Sequence, residues 1–177
     1  MKPMGPIPPG FVAGPDGWLQ VGGISARDLI AQAGGTPLFV YDMALIRARI
    51  AALRDAMPPQ LRIHYAIKAN PLPELVNGVA KLVDGLDVAS GGELAVAAPL
   101  HDHVSFAGPG KRDAELEAAL RAGATLNLES EGEAERALSI AGRLGVTPHM
   151  AVRVNPEFDL KGSGMRLGGG AKPFGVD

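Results

Sequence analysis

The chain has 177 residues, 46% of them apolar and 20% charged, with a net charge of −2 and no cysteine. This is enough for one domain with its own core, while the near-neutral charge and 5% aromatic content argue against a nucleic-acid or anionic-membrane surface. Without cysteine there are no disulfides, thiolate metal sites or cysteine nucleophiles, and no apolar run reaches signal-peptide or bilayer length, so a cytoplasmic location is expected.

Residues 1–17 hold five prolines and four glycines and read as an irregular arm. Trp18 to Val21 reads as a short strand. Ser25 to Ala33 reads as a helix capped by Ser25 and stopped by Gly34–Gly35. From Pro37 the pattern becomes regular. Strands are predicted at Pro37–Tyr41, Leu61–Ile67, Asp84–Ala89, His103–Ala107, Thr125–Leu128 and Pro148–Val154. Helices are predicted at Met43–Ala56, Pro73–Leu82, Gly92–Ala98, Ala114–Ala122 and Glu131–Leu144. Residues 155–177 are glycine-rich and irregular.

Alternating strands and helices with short connections indicate repeated βαβ units and a parallel sheet. The strands discriminate between the two parallel architectures. Leu61, Ile63, Tyr65 and Ile67 share one face, opposite Arg62, His64, Ala66 and Lys68. Leu86 and Val88 stand opposite Gly85, Asp87 and Ala89. Leu126 and Leu128 stand opposite Thr125, Asn127 and Glu129. Met150, Val152 and Val154 stand opposite Ala151, Arg153 and Asn155. A doubly wound sheet buries both faces and favours continuous apolar runs. A barrel turns one face to its helices and the other inward, toward a site at the strands' C-terminal ends. The fold class is therefore α/β, the barrel is preferred, and the organisation is an arm over 1–36 followed by barrel units over 37–177.

The motif richest in chemistry is Tyr65-Ala66-Ile67-Lys68-Ala69-Asn70-Pro71, a lysine at a strand end followed by a turn. Such ends carry the functional groups of parallel α/β folds. An inward lysine there sheds hydration, which favours the neutral amine and allows attack on an aldehyde. A lysine snorkelling at a strand terminus is the alternative.

This motif resembles the cofactor-lysine segment of the pyridoxal-phosphate-dependent, alanine-racemase-like barrel family that includes diaminopimelate, ornithine and arginine decarboxylases. The resemblance continues in order through Asp87-Val88-Ala89-Ser90-Gly91-Gly92-Glu93-Leu94 and Ala107-Gly108-Pro109-Gly110-Lys111. It goes on through Asn127-Leu128-Glu129-Ser130, Val152-Arg153-Val154-Asn155-Pro156 and Lys172-Pro173-Phe174-Gly175-Val176. A proline interrupts the family's Lys-Phe-Gly in the last of these.

The resemblance implies pyridoxal 5'-phosphate in Schiff-base linkage to Lys68, with Asp87, Arg153 and Glu93 near the cofactor and Ala66 leaving room for its ring. It implies an amino-acid decarboxylase acting on a diaminopimelate-like or carrier-protein-bound amino acid, homodimeric at full length. An amino-acid racemase and a non-catalytic pyridoxal-phosphate homeostasis protein are the alternatives. The family barrel has eight strands and a separate β-domain. Five strands are counted from Leu61 to Val154, with residues 11–23 a candidate contribution to the β-domain. The chain is therefore expected to be an N-terminal fragment that alone is unstable or self-associating, and inactive.

Several residues have competing structural readings. Ser90/Glu93 and Ser130/Glu133 have capping-box spacing. Asp87 and Arg153 are candidates for a structural ion pair across the barrel mouth. His101 and His103 have the look of a metal pair but precede a strand, away from the proposed site, so no metal is expected. His64 reads as a packed polar side chain. Gly168-Gly169-Gly170 reads as a loop rather than a phosphate cradle, because no helix follows it.

Overall fold

A computed structural model describes residues 10–156 and 174–176. The start of the N-terminal arm, the Gly162–Gly170 loop and Lys172–Pro173 lie outside the described residues. The chain divides into two compact units, Met1–Pro59 and Gln60–Asp177.

The first unit carries a small antiparallel meander of β1 (Val12–Ala13), β2 (Leu19–Val21) and β3 (Ile24–Ser25). Only β2 is legible from sequence; the flanking two-residue strands are defined by their pairing to it. Gly22 and Gly23 join β2 to β3 with φ of 59° and 78°, the left-handed pair that a two-residue hairpin needs. Helix α1 (Ala26–Ala33) starts where Ser25 Oγ accepts the Arg27 N–H at 3.2 Å and stops at Gly34, φ 79°. Helix α2 (Met43–Ala56) is capped by Asp42, whose Oδ1 accepts the Ala44 N–H at 2.7 Å.

The strand expected at Pro37–Tyr41 does not form. The segment is assigned to no strand and leaves Phe39 83% exposed. Its apolar composition favours a strand, but a strand exists only where a ladder partner satisfies its backbone.

The second unit contains β4 (His64–Ala66), β5 (Gly85–Val88), β6 (Val104–Phe106), β7 (Thr125–Leu128) and β8 (His149–Val152). All pair in parallel, in sequential order. The connections carry α3 (Pro73–Ala80), α4 (Gly91–Ala97), α5 (Asp113–Arg121) and α6 (Glu131–Leu144). Strand order that never reverses is the order of a barrel arc, not of a doubly wound sheet, which reverses at its switch point.

The core lies between the strands' aliphatic face and the helices. Leu86, Val88, Phe106 and Leu126 are fully buried with Val76, Leu116, Ala119 and Ala137. Each large apolar side chain so buried contributes about 1.5–3 kcal/mol. Helix α6 buries Glu133, Ala137, Ile140 and Ala141, the spacing of one helical face. Strand β8 is exposed along its length, with Val152 62% accessible.

The entries of α4 and α6 are built alike. Ser90 Oγ accepts the Glu93 N–H and Ser130 Oγ the Glu133 N–H, each at 3.2 Å. The glutamates reach back to the N–H of Ala89 and Glu129, each at 2.8 Å. Both predicted capping pairs therefore form. At α5 the carboxylate does more. Glu115 accepts the Arg112 N–H at 3.0 Å and Nε–H at 3.2 Å, and the Gly91 N–H at 2.8 Å.

These donors, the Arg112 and Gly91 backbone first, hold the Glu115 carboxyl down to about 2 from an ordinary 4.5. A carboxyl depressed in the folded state stabilises fully above its unfolded value and loses that contribution as pH falls. Acid unfolding is therefore expected to draw on Glu115 between about pH 4.5 and 2. Unfolding free energy measured against pH should slope less steeply in that window for Glu115→Gln, and equal slopes would show that the carboxylate is not coupled to folding.

Candidate active site

Ladder register places the site residues. Ala66 pairs with Asp87, Asp87 with Ser105, Ser105 with Thr125 and Thr125 with His149. Paired residues in a parallel ladder project to one face, here the one opposite Leu86, Val88 and Leu126. Further along that face come Ala89, Ala107, Asn127 and Ala151, and beyond them Glu129 and Arg153, at the strands' C-terminal ends.

Strand β4 covers His64–Ala66, three residues shorter at its start and one at its end than the expected Leu61–Ile67. The chain then makes one 3-10 turn, Ile67–Ala69. Asn70 fixes that turn. Its N–H donates to Ile67 O at 3.1 Å, its Oδ1 accepts the Leu72 N–H at 3.1 Å, and its carbonyl accepts Tyr65 OH at 3.0 Å. The turn buries Ile67 completely and leaves Lys68 exposed. The described residues therefore do not bury Lys68.

Asp87 is half-buried and accepts the Ser105 hydroxyl at 2.7 Å. Glu93 sits at the start of α4 with one carboxylate oxygen on the Ala89 N–H, 2.8 Å. Arg153 does not pair with Asp87. Three strand spacings separate β5 from β8, roughly 14 Å along the sheet, too far for contact. Arg153 instead donates from Nη1 to both Glu129 oxygens at 3.2 and 3.3 Å and stacks over Phe174, its guanidinium carbon 4.9 Å from the ring centroid.

Three residues absent from the sequence-derived site thus belong to its surroundings: Ser105, Glu129 and Lys111. The alternation that set Thr125, Asn127 and Glu129 on the inward face carried the signal for Glu129. Lys111 is buried beneath the same end. Its Nζ donates to Gly108 O at 2.7 Å, Asn127 O at 2.8 Å and Glu133 Oε1 at 3.0 Å.

At the opposite end of the strands, Arg62, His64, Asp102, His103, Thr125 and His149 line an open recess of about 450 Å³. His64 lies over Gly85, where a Cβ would strike its imidazole and the His103 carbonyl. Desolvation holds His64 below its ordinary value, opposed by Asp87 and reinforced by His101. His101 Nδ1 accepts the His103 N–H at 2.9 Å. Among the described residues no cluster of three metal-ligating side chains forms. Barrel chemistry resides at the C-terminal ends, so this recess is not the candidate site.

The C-terminal end fits the aldehyde cofactor that the lysine motif implies. It offers an exposed primary amine at Lys68, a carboxylate held by a hydroxyl at Asp87, and a fixed guanidinium at Arg153. Ala66, Ala89 and Ala107 are small residues of that face.

Comparison with known proteins agrees. Residues 43–177 match the family described as pyridoxal-dependent decarboxylase, pyridoxal binding domain. The chain is 41% identical over 167 residues to a diaminopimelate decarboxylase of Aquifex aeolicus, covering 92% of this chain and 39% of that protein. It is 32% identical over 146 residues to the L-glutamyl-(BtrI acyl-carrier protein) decarboxylase of Niallia circulans, covering 80% and 34%. Among solved structures, diaminopimelate decarboxylase from Helicobacter pylori complexed with L-lysine matches with a TM-score of 0.71 and 28% identity, over 85% of this chain and 40% of that one. The five-strand arc is thus the N-terminal part of a TIM-type barrel. The chain spans about two fifths of the length of these relatives.

Proposed function

The chain belongs to the pyridoxal-dependent decarboxylase family through its pyridoxal binding domain, and from that we propose that the whole protein removes carbon dioxide from an amino acid, with pyridoxal 5'-phosphate carried on Lys68. The observation that carries the reading is Lys68 itself, an exposed amine in the turn that follows β4, beside a strand whose Asp87 stands in ladder register with Ala66.

The cofactor supplies an aldehyde for the lysine amine and a ring that accepts the electron pair left by carbon dioxide. The chain supplies position and protons. Lys68 Nζ is the attachment point and, when released, moves a proton at the reacting carbon. Asp87, oriented by the Ser105 hydroxyl at 2.7 Å, presents a fixed negative charge. Arg153 presents a fixed positive one, and Ala66 leaves the ring its space. Glu93 acts from the start of α4, where its backbone-bonded carboxylate holds the loop after Asp87.

The substrate in this reading is a diaminopimelate-like amino acid or one borne on a carrier protein, classes that the relatives of Aquifex aeolicus and Niallia circulans support. A cytoplasmic homodimer, with the barrel units taken from residue 37, belongs to the same reading. The test is carbon dioxide release by the full-length protein, loaded with pyridoxal 5'-phosphate, over free and carrier-bound amino acids. Release from one class is expected. Racemisation without release would instead make it a racemase, and cofactor binding with neither activity a homeostasis protein.

A further inference from the structure

We propose that Glu129 is a positioning residue that fixes the Arg153 guanidinium at the barrel mouth; this rests on the decarboxylase reading above. Glu129 lies at the end of β7, directly across the ladder from Arg153, since Leu128 pairs with Val152 and the Arg153 N–H donates to Leu128 O at 2.9 Å. Its side chain is 1% exposed. A carboxylate so far from water requires charge compensation and hydrogen bonds. It receives both: Arg153 Nη1 at 3.2 and 3.3 Å, the Gly108 N–H at 2.6 Å and the Gly175 N–H at 3.1 Å.

The two backbone donors come from glycines for a reason. Gly108 has φ 109° and Gly175 φ 78°, conformations that other residues avoid. At Gly175 a Cβ would also lie 2.9 Å from Arg153 O. Two segments thus bring bare backbone to one carboxylate. The Gly175 segment also docks on β8, with Val176 N–H donating to Arg153 O at 2.8 Å and Asn155 N–H to Val176 O at 2.6 Å, and it delivers Phe174 to the face of the guanidinium. Arg153, 32% exposed in its side chain, is consequently held from two sides, by the Glu129 carboxylate and the Phe174 ring. A single planar guanidinium accepts both constraints, one Nη1 donor shared between the two carboxylate oxygens and a flat face turned to the ring.

The experiment uses the full-length protein loaded with pyridoxal 5'-phosphate, comparing wild type with Glu129→Gln, Arg153→Lys and the double variant. The visible spectrum of the bound cofactor is titrated with pH, and kcat and KM are measured. Glu129→Gln is expected to move the cofactor's pH profile in the same direction as Arg153→Lys. It should lower kcat about 10- to 100-fold, the usual cost of removing a supporting hydrogen-bond partner, and the double variant should be no worse than the poorer single one. A wild-type pH profile in Glu129→Gln, or multiplying losses in the double variant, would overturn the assignment.

Should Glu129→Gln fail to fold, Glu129→Asp takes its place. One methylene shorter, it cannot span the two glycine N–H groups and Arg153 together, so a shifted profile supports the role and an unshifted one overturns it. A Lys68→Ala protein that keeps the wild-type cofactor band would refute the decarboxylase reading separately, whatever Glu129 does.

Discussion

Replacing Lys111 with methionine is expected to destabilise the protein by about 3–5 kcal/mol, the cost of leaving one partner of a buried ion pair uncompensated. The Lys111 and Glu133 side chains are 1% and 2% exposed and 3.0 Å apart. All three ammonium hydrogens are used, on Gly108 O, Asn127 O and Glu133 Oε1, and Nζ lies over the Phe106 ring, 5.6 Å from its centroid. Methionine restores the stem's volume but none of the charge. Glu133 would then keep the Glu129 N–H on one oxygen and an unpaired charge on the other. The double variant Lys111→Met/Glu133→Gln should recover much of the loss, because a neutral amide costs less to bury than a lone carboxylate. Denaturant unfolding of the four proteins gives the coupling energy. Additive losses would mean that the two groups are independent and that the pair does not hold β6, β7 and α6 together.

Lys68→Ala is expected to leave stability nearly unchanged and to lower decarboxylation by the full-length protein roughly 10⁴-fold, the scale of removing a group on which a catalytic unit depends. Stability should hold because Lys68 is exposed, and exposed substitutions away from caps and buried networks shift it by about 0.5 kcal/mol or less. Lys68→Arg separates charge from chemistry. Arginine keeps the positive charge but is never a free amine at working pH, so it should lose as much activity as alanine. An arginine variant that retains activity would make Lys68 an electrostatic group rather than a point of attachment.

The sequence exposed most where local signals and tertiary packing agree. Helix α6 has Ser130 to cap it, Gly145 to stop it and one buried stripe between, and its bounds match the expected Glu131–Leu144. Strand β7 likewise matches Thr125–Leu128. Barrel over doubly wound sheet was legible from inward polar residues, and the sequential strand order agrees.

What stayed hidden depends on partners distant in sequence. Leu38, Phe39 and Val40 look like a strand, but the ladder that would make them one is absent among the described residues. The meander needed β1 and β3 to find β2, and neither is long enough to signal itself. At the site, alternation put Asp87 and Arg153 on the inward face, yet could not say which strand each would meet. Register decides that: β8 lies beside β7, so Arg153 meets Glu129, and β5 lies beside β6, so Asp87 meets Ser105. The exposure of Lys68 was not legible. That follows from the turn that Asn70 closes immediately after it.

Lys68 as the carrier of the cofactor is open to one direct test. The direct measurement is borohydride reduction of the full-length, pyridoxal-phosphate-loaded protein, followed by proteolysis and mass spectrometry of the peptides. The reduced cofactor should be found on the peptide containing Lys68 and vanish in Lys68→Ala. Its appearance on a different lysine, or its persistence in Lys68→Ala, would contradict the account.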